Sequence, residues 1–259
     1  MSLVGGLLLL ALLGPLDEAE AALAAGRVEQ TGKMVRQLAS EGVSGPRFER
    51  LRGGEALAAG RNEEALRRFG NLAYRPGSPA GDREGAAIAA YRMGRKAEAR
   101  VWVGQAMGMT GATWRAFNLC GALADEANDF SVADGCYARA DALSPGRAEV
   151  ANNRGWSLLL RGQWAMAASA FERALAIDPA DRVARGNLDL ARAALADDLP
   201  VRKPNESDSD FGRRLNDAGV MAQAAGSRDR AVAAFASSIE TRSTWSPVTA
   251  CNLEDVQRP

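Results

Sequence analysis

The chain has 259 residues, 47% of them hydrophobic and only 6% aromatic, and it contains no histidine. Lys and Arg number 32 and Asp and Glu number 32, a formal net charge of +0, which argues against a general nucleic-acid binder because such a protein needs a basic face to displace phosphate counterions. Without histidine the commonest general base and metal ligand are gone, as is every Ser/His or Cys/His nucleophile; with no Gly-rich phosphate loop, no enzyme, cofactor or metal site is expected, and carboxylate-only chemistry is the one catalytic alternative.

Residues 1–11 form an apolar leader. The run from Leu3 to Leu13 is too short to span a bilayer but has the length of a signal-peptide core, and Ala19-Glu20-Ala21 offers a small-x-small cleavage pattern. Against export stands the absence of Lys or Arg before Arg27. A degenerate signal or anchor and an extra packed helix both stay open. Any membrane association would run through this leader alone.

From Leu12 a 34-residue period runs through 12–181, in frames starting at 12, 46, 80, 114 and 148. Frame position 15 is Gly26, Gly60, Gly94, Asn128 and Gly162. Position 20 is Thr31, Ala65, Ala99, Ala133 and Ala167, and position 24 is Val35, Phe69, Val103, Tyr137 and Phe171. The frame 148–181 is written most fully: Gly155, Leu158, Gly162, Ala167, Phe171, Ala174 and Pro179. Gly155 and Ala167 let two antiparallel helices approach, while Leu158 and Phe171 fill the space beside them. Gly162 suits the turn, where positive φ is needed. Pro179 stops the second helix, because proline disfavours helix in the residue before it. Asp125/Glu126 in frame 114, and Asp197/Asp198 further on, read as solvated carboxylate pairs. The clusters Arg47, Arg50, Arg52 and Arg67, Arg68 read as solvated helix faces. Cys120 and Cys136, on opposed helices of frame 114, read as two small buried apolar residues; in an oxidising compartment they become candidates for a bridge.

After Asp181 the register changes. Residues 182–199 read as a lone helix with the apolar stripe Val183, Leu188, Leu190, Ala194 and Leu195. Residues 200–211 read as a proline-bounded polar linker. Residues 212–259 form a further unit with Gly219, Gly226, Ala231 and Phe235 at positions 8, 15, 20 and 24, closed by a short helix over 248–256 that covers its apolar end.

These residues resemble the tetratricopeptide repeat family. The resemblance implies an all-α, right-handed superhelical solenoid of stacked helix-turn-helix repeats, whose first helices line a concave groove for a protein or peptide partner. Position 5 is Arg50, Glu84 and Asn118 rather than Lys, so the carboxylate clamp of some chaperone-binding relatives is not expected. Carried onto this chain, the groove positions give Asn118, Asn152, Asn153, Asn187 and Asn216, with Trp156, Leu159 and Tyr91 as apolar contacts and Arg92 and Arg115 as charges. Asn is a poor interior helix residue, and its amide both donates to and accepts from a peptide backbone. The alternative is that Asn152 and Asn153 only cap or solvate their helix start. The run 204–220, with Cys251-Asn252-Leu253-Glu254, is similar to the tail of TadD-like proteins of tight-adherence (Flp) pilus assembly. That likeness implies a bacterial cell-envelope scaffold for pilus or secretion components. A cytoplasmic regulatory or chaperone-like adaptor is the alternative.

Overall fold

The computed structural model describes residues 14–195, 199–241 and 246–258. The leader 1–11, the pair Asp197/Asp198 and Trp245 lie outside them. Among the described residues the fold is all-α, with fourteen helices and no strand. In chain order these are α1 (Pro15–Ala24), α2 (Val28–Ser40), α3 (Pro46–Ala58), α4 (Asn62–Ala73), α5 (Ala80–Arg92), α6 (Lys96–Met107) and α7 (Trp114–Asp125). They continue as α8 (Phe130–Leu143), α9 (Ala148–Leu160), α10 (Trp164–Ile177), α11 (Arg182–Leu195), α12 (Asp208–Ala224), α13 (Arg228–Thr241) and α14 (Pro247–Gln257). None is long and apolar enough to cross a membrane.

The repeat is a backbone fact before it is a packing fact. Frame position 15 has positive φ in every frame, from +58° at Asn128 to +76° at Gly60. A left-handed residue there ends the first helix and reverses the chain; Asn substitutes for Gly because its short side chain tolerates that region. Position 20 is then fully buried from Thr31 to Ala231, and position 24 is buried from Val35 to Phe235.

The chain divides into two compact units, one of residues up to 127 with 138–144 and the other of 128–137 with 145 onward. In the first unit, α3 to α7 share a core of Phe69, Leu72, Trp102, Val103, Leu119 and the alanines around them. A smaller cluster of Ala19, Val35, Leu38, Phe48 and Leu51 closes α1 to α3. Polar links fix the repeats against each other. The Arg50 guanidinium donates twice to Asp82, at 2.7 and 3.1 Å, from α3 to α5. Glu84 accepts from both the backbone N–H (2.6 Å) and hydroxyl (2.8 Å) of Thr113, the residue that caps α7. Buried Arg68 donates to Glu49 and Glu64, and Arg47 pairs with Asp17 and Glu20. Of the arginines that read as solvated faces, Arg47, Arg50 and Arg68 are therefore ties between helices, while Arg52 pairs with Glu49 of its own helix and Arg67 is exposed; a guanidinium can bridge two carboxylates at once, which the spacing of arginines along one helix does not disclose.

In the second unit, α9 to α11 enclose Leu158, Leu159, Ala167, Phe171, Leu188 and Ala191. Phe235, Ala222 and Ala231 are covered by Val256 of the closing helix α14. The expected stripe of α11 is corrected here. Ala184, Leu188 and Ala191 are the buried face, whereas Val183 is 64% and Leu195 49% exposed. The 4, 3 spacing of Ala184, Leu188 and Ala191 places one leucine between two small residues against the core, and Val183 and Leu195 turn away.

Candidate functional site

The predicted groove residues fall in both units. In the first unit Tyr91 of α5 is half-buried, and its hydroxyl donates to Glu126 at 3.1 Å. Burial, then the neighbouring Glu126 carboxylate, pushes its pKa above the ordinary tyrosine value. Arg92 donates at 2.8 Å to the Leu57 carbonyl in the last turn of α3, a carbonyl that also accepts from the Gly60 N–H at 3.2 Å. The Arg115 guanidinium lies 4.7 Å from the Trp114 ring centre. Asn118 is half-buried on α7. Tyr91 and Arg92 thus spend their polar groups inside the unit. Asp125 is buried rather than solvated, and Glu126 pairs with Lys96 at 3.1 Å, so these carboxylates are not presented together.

The second unit brings four predicted residues together. The Asn187 amide of α11 donates to Asn152 of α9 at 2.9 Å, and Asn152 donates to Asn153 at 3.3 Å. This line of amides joins two first helices. Asn152 is interior to α9, whose N-cap is Arg147, so it does not cap the helix. One turn on from Asn152–Asn153, Trp156 stands 39% exposed and Leu160 45% exposed. Leu159 is buried in the core instead, which removes it from the site. Asn216 accepts from Asn252 at 3.2 Å and ties α12 to α14.

A cavity of about 630 Å³ opens beside these amides, between α11 and α12. Its lining includes Asn187, Arg182, Val183, Leu190, Leu199 and Arg213. Sequence reasoning missed Arg182, Leu199 and Arg213, and it assigned exposed Val183 to the core; Leu190, assigned there too, is half-buried and packs against the core while also lining the cavity. The one available signal was the surplus of apolar residues on α11 beyond what a single buried stripe needs. Among the described residues no group of three or more acidic or cysteine side chains is placed to hold a metal ion.

Residues 148–181 match the family model for the tetratricopeptide repeat. The match covers that one 34-residue frame. The matched repeat is the α9–α10 hairpin with its Gly155, Phe171 and Pro179. No curated protein matches the sequence. Solved structures share the fold. A chain of the APC/C hetero-tetramer Cut9–Hcn1 superposes with a TM-score of 0.65 at 13% identity, over 94% of this chain and 49% of that one. This chain therefore spans about half the length of that relative. PilW, described as a widely conserved type IV pilus biogenesis factor, superposes at 0.53 with 15% identity, over 94% and 97% of the two chains. A tetratricopeptide repeat protein from Parabacteroides merdae superposes at 0.52 with 12% identity, over 94% and 98%. These likenesses establish an all-α helical-repeat fold.

Proposed function

We propose that this protein is a non-enzymatic scaffold that binds a protein or peptide partner on the face carrying Asn153, Asn152, Asn187 and Trp156, in bacterial pilus or secretion-system assembly at the cell envelope. The observation that carries the binding reading is the line of amides from α9 to α11 beside an exposed tryptophan. Amides at helix-interior positions cost helix propensity; beside an apolar anchor they suit a partner whose backbone needs donors and acceptors. The assembly reading is supported by the likeness of 204–220 and 251–254 to TadD-like tails. The shared fold of a pilus biogenesis factor is consistent with it.

The test is crosslinked affinity capture from the native cell, together with fractionation. Wild-type protein is expected in the envelope fraction with pilus or secretion components bound. Asn153→Ala combined with Trp156→Ala should reduce capture at least tenfold while the melting temperature stays nearly constant. Recovery of cytoplasmic regulatory or chaperone partners alone would favour the adaptor reading. Capture indifferent to both substitutions would remove this face from the function.

A further inference from the structure

α11 carries apolar residues on two faces: one is buried, and the other is only partly covered, with Leu190 half-buried against the core and Val183 exposed. Ala184, Leu188 and Ala191 face the core, while Val183, Leu190 and Ala193 line the cavity toward α12. A surface helix ordinarily keeps one apolar stripe, so the second face suits an occupant.

The far wall of the cavity is built to stay in place. Leu199 and Pro200 form part of it, and the residues after them are tied down. Glu206 accepts twice from Arg214, at 2.9 and 2.8 Å, and from the Lys203 backbone N–H at 2.9 Å. The Lys203 ammonium reaches Asp189 of α11 at 2.7 Å, and Arg202 reaches Asp208 at 2.7 Å.

Charge selects the occupant. Arg192 is paired with Glu172, Arg213 with Asp210 and Asp189 with Lys203. Asp181 uses its carboxylate on the N–H groups of Val183 and Ala184. Arg182, exposed at the first turn of α11, has no ion-pair partner among the described residues. A cation at the positive end of a helix is placed unfavourably, and a carboxylate arriving there is attracted by both. Asn187, held through its amide nitrogen by Asn152, keeps its oxygen for a backbone donor.

We infer that the α11–α12 cleft takes an extended, acidic and apolar peptide segment of a partner protein. Its apolar side chains rest on Val183, Leu190 and Leu199, a backbone N–H donates to Asn187 Oδ1, and an Asp or Glu side chain pairs with Arg182. This rests on the binding reading above and assigns it a second, separable contact.

The experiment selects a random heptapeptide phage library against the full chain. Sequences rich in Leu, Ile, Val or Phe together with Asp or Glu, and poor in Lys and Arg, are expected. A selected peptide should bind Arg182→Glu and Val183→Asp at least tenfold more weakly, and Trp156→Ala equally well. Recovery of no binders, or of basic ones, overturns the cleft assignment. Binding lost in Trp156→Ala but kept in Arg182→Glu also overturns it and leaves the wider reading standing. A peptide insensitive to all three substitutions overturns both. Val183 and Arg182 are exposed, and unchanged helical circular dichroism confirms that the variants fold.

Discussion

The Phe171 ring lies over Gly155: a Cβ added at Gly155 would stand 2.6 Å from the ring edge. The same relation recurs between Gly219 and Phe235, at 2.5 Å. A glycine that costs a helix up to ~1 kcal/mol relative to alanine is kept because the aromatic of the second helix needs its space. Gly155→Ala should destabilise the second unit by about 1–3 kcal/mol, the cost of overpacking a dense core. Gly104 of α6 meets nothing within 4 Å, so Gly104→Ala should stabilise by ~0.5–1 kcal/mol. Urea titration of both variants checks the opposite signs; two changes of one sign would refute the packing account.

The Arg50–Asp82 pair is asymmetric, with the Arg50 side chain 37% exposed and the Asp82 side chain 1% exposed. Removing the arginine strands a buried carboxylate, whereas removing the aspartate leaves a guanidinium that water can reach. Arg50→Ala should therefore cost more, about 3–5 kcal/mol, although Ser78 still donates to Asp82 at 3.0 Å. The double variant Arg50→Ala/Asp82→Ala should be more stable than Arg50→Ala alone. A double-mutant cycle in urea measures this, and strict additivity would show that the pair is not coupled.

Thr113 does two jobs. Its hydroxyl caps α7 by accepting from the Arg115 N–H and donates to buried Glu84. Thr113→Ala should cost about 2 kcal/mol, a lost cap plus a less satisfied buried carboxylate. Thr113→Ser keeps the hydroxyl and should cost less than about 1 kcal/mol. Equal losses in the two thermal melts would mean that the methyl group, not the hydroxyl, matters.

The tie at Glu206 gives a pH dependence. Burial pushes its carboxyl up, but Arg214 and the Lys203 N–H outweigh burial and hold it below the ordinary 4.5. A lowered carboxylate constant in the folded state contributes stability above the unfolded value, lost as pH falls below about 4.5 toward the folded value. Hydrogen-exchange protection at the Lys203 amide, corrected for intrinsic rate, should hold from pH 7 to about 5 and fall below about 4.5. Glu206→Gln should show the lower protection already at pH 7. Protection that stays constant down to pH 3 would contradict the assignment.

Much of the fold was legible because its determinants are local and recur. Positive φ at Gly162 and Asn128 ends a first helix regardless of what packs later, and the small residue at position 20 with the aromatic at 24 admits few pairings. The site was less legible. Asn152, Asn153 and Asn187 are visible as amides on first helices, but their mutual bonds join residues 35 positions apart. Tyr91 and Arg92 carry the same signal as a groove residue, yet their polar ends are taken by Glu126 and Leu57.

The sequence by itself determined the helical hairpin, its turn and its 34-residue recurrence, because steric permission at single residues sets those features. Only the tertiary structure decided which face of α11 turned inward, leaving Val183 and Leu190 beside an open cleft and Arg182 without an ion pair among the described residues. That choice depends on how closely α10 and α12 approach, and a periodicity of side chains along one helix carries no measure of its distance from the next.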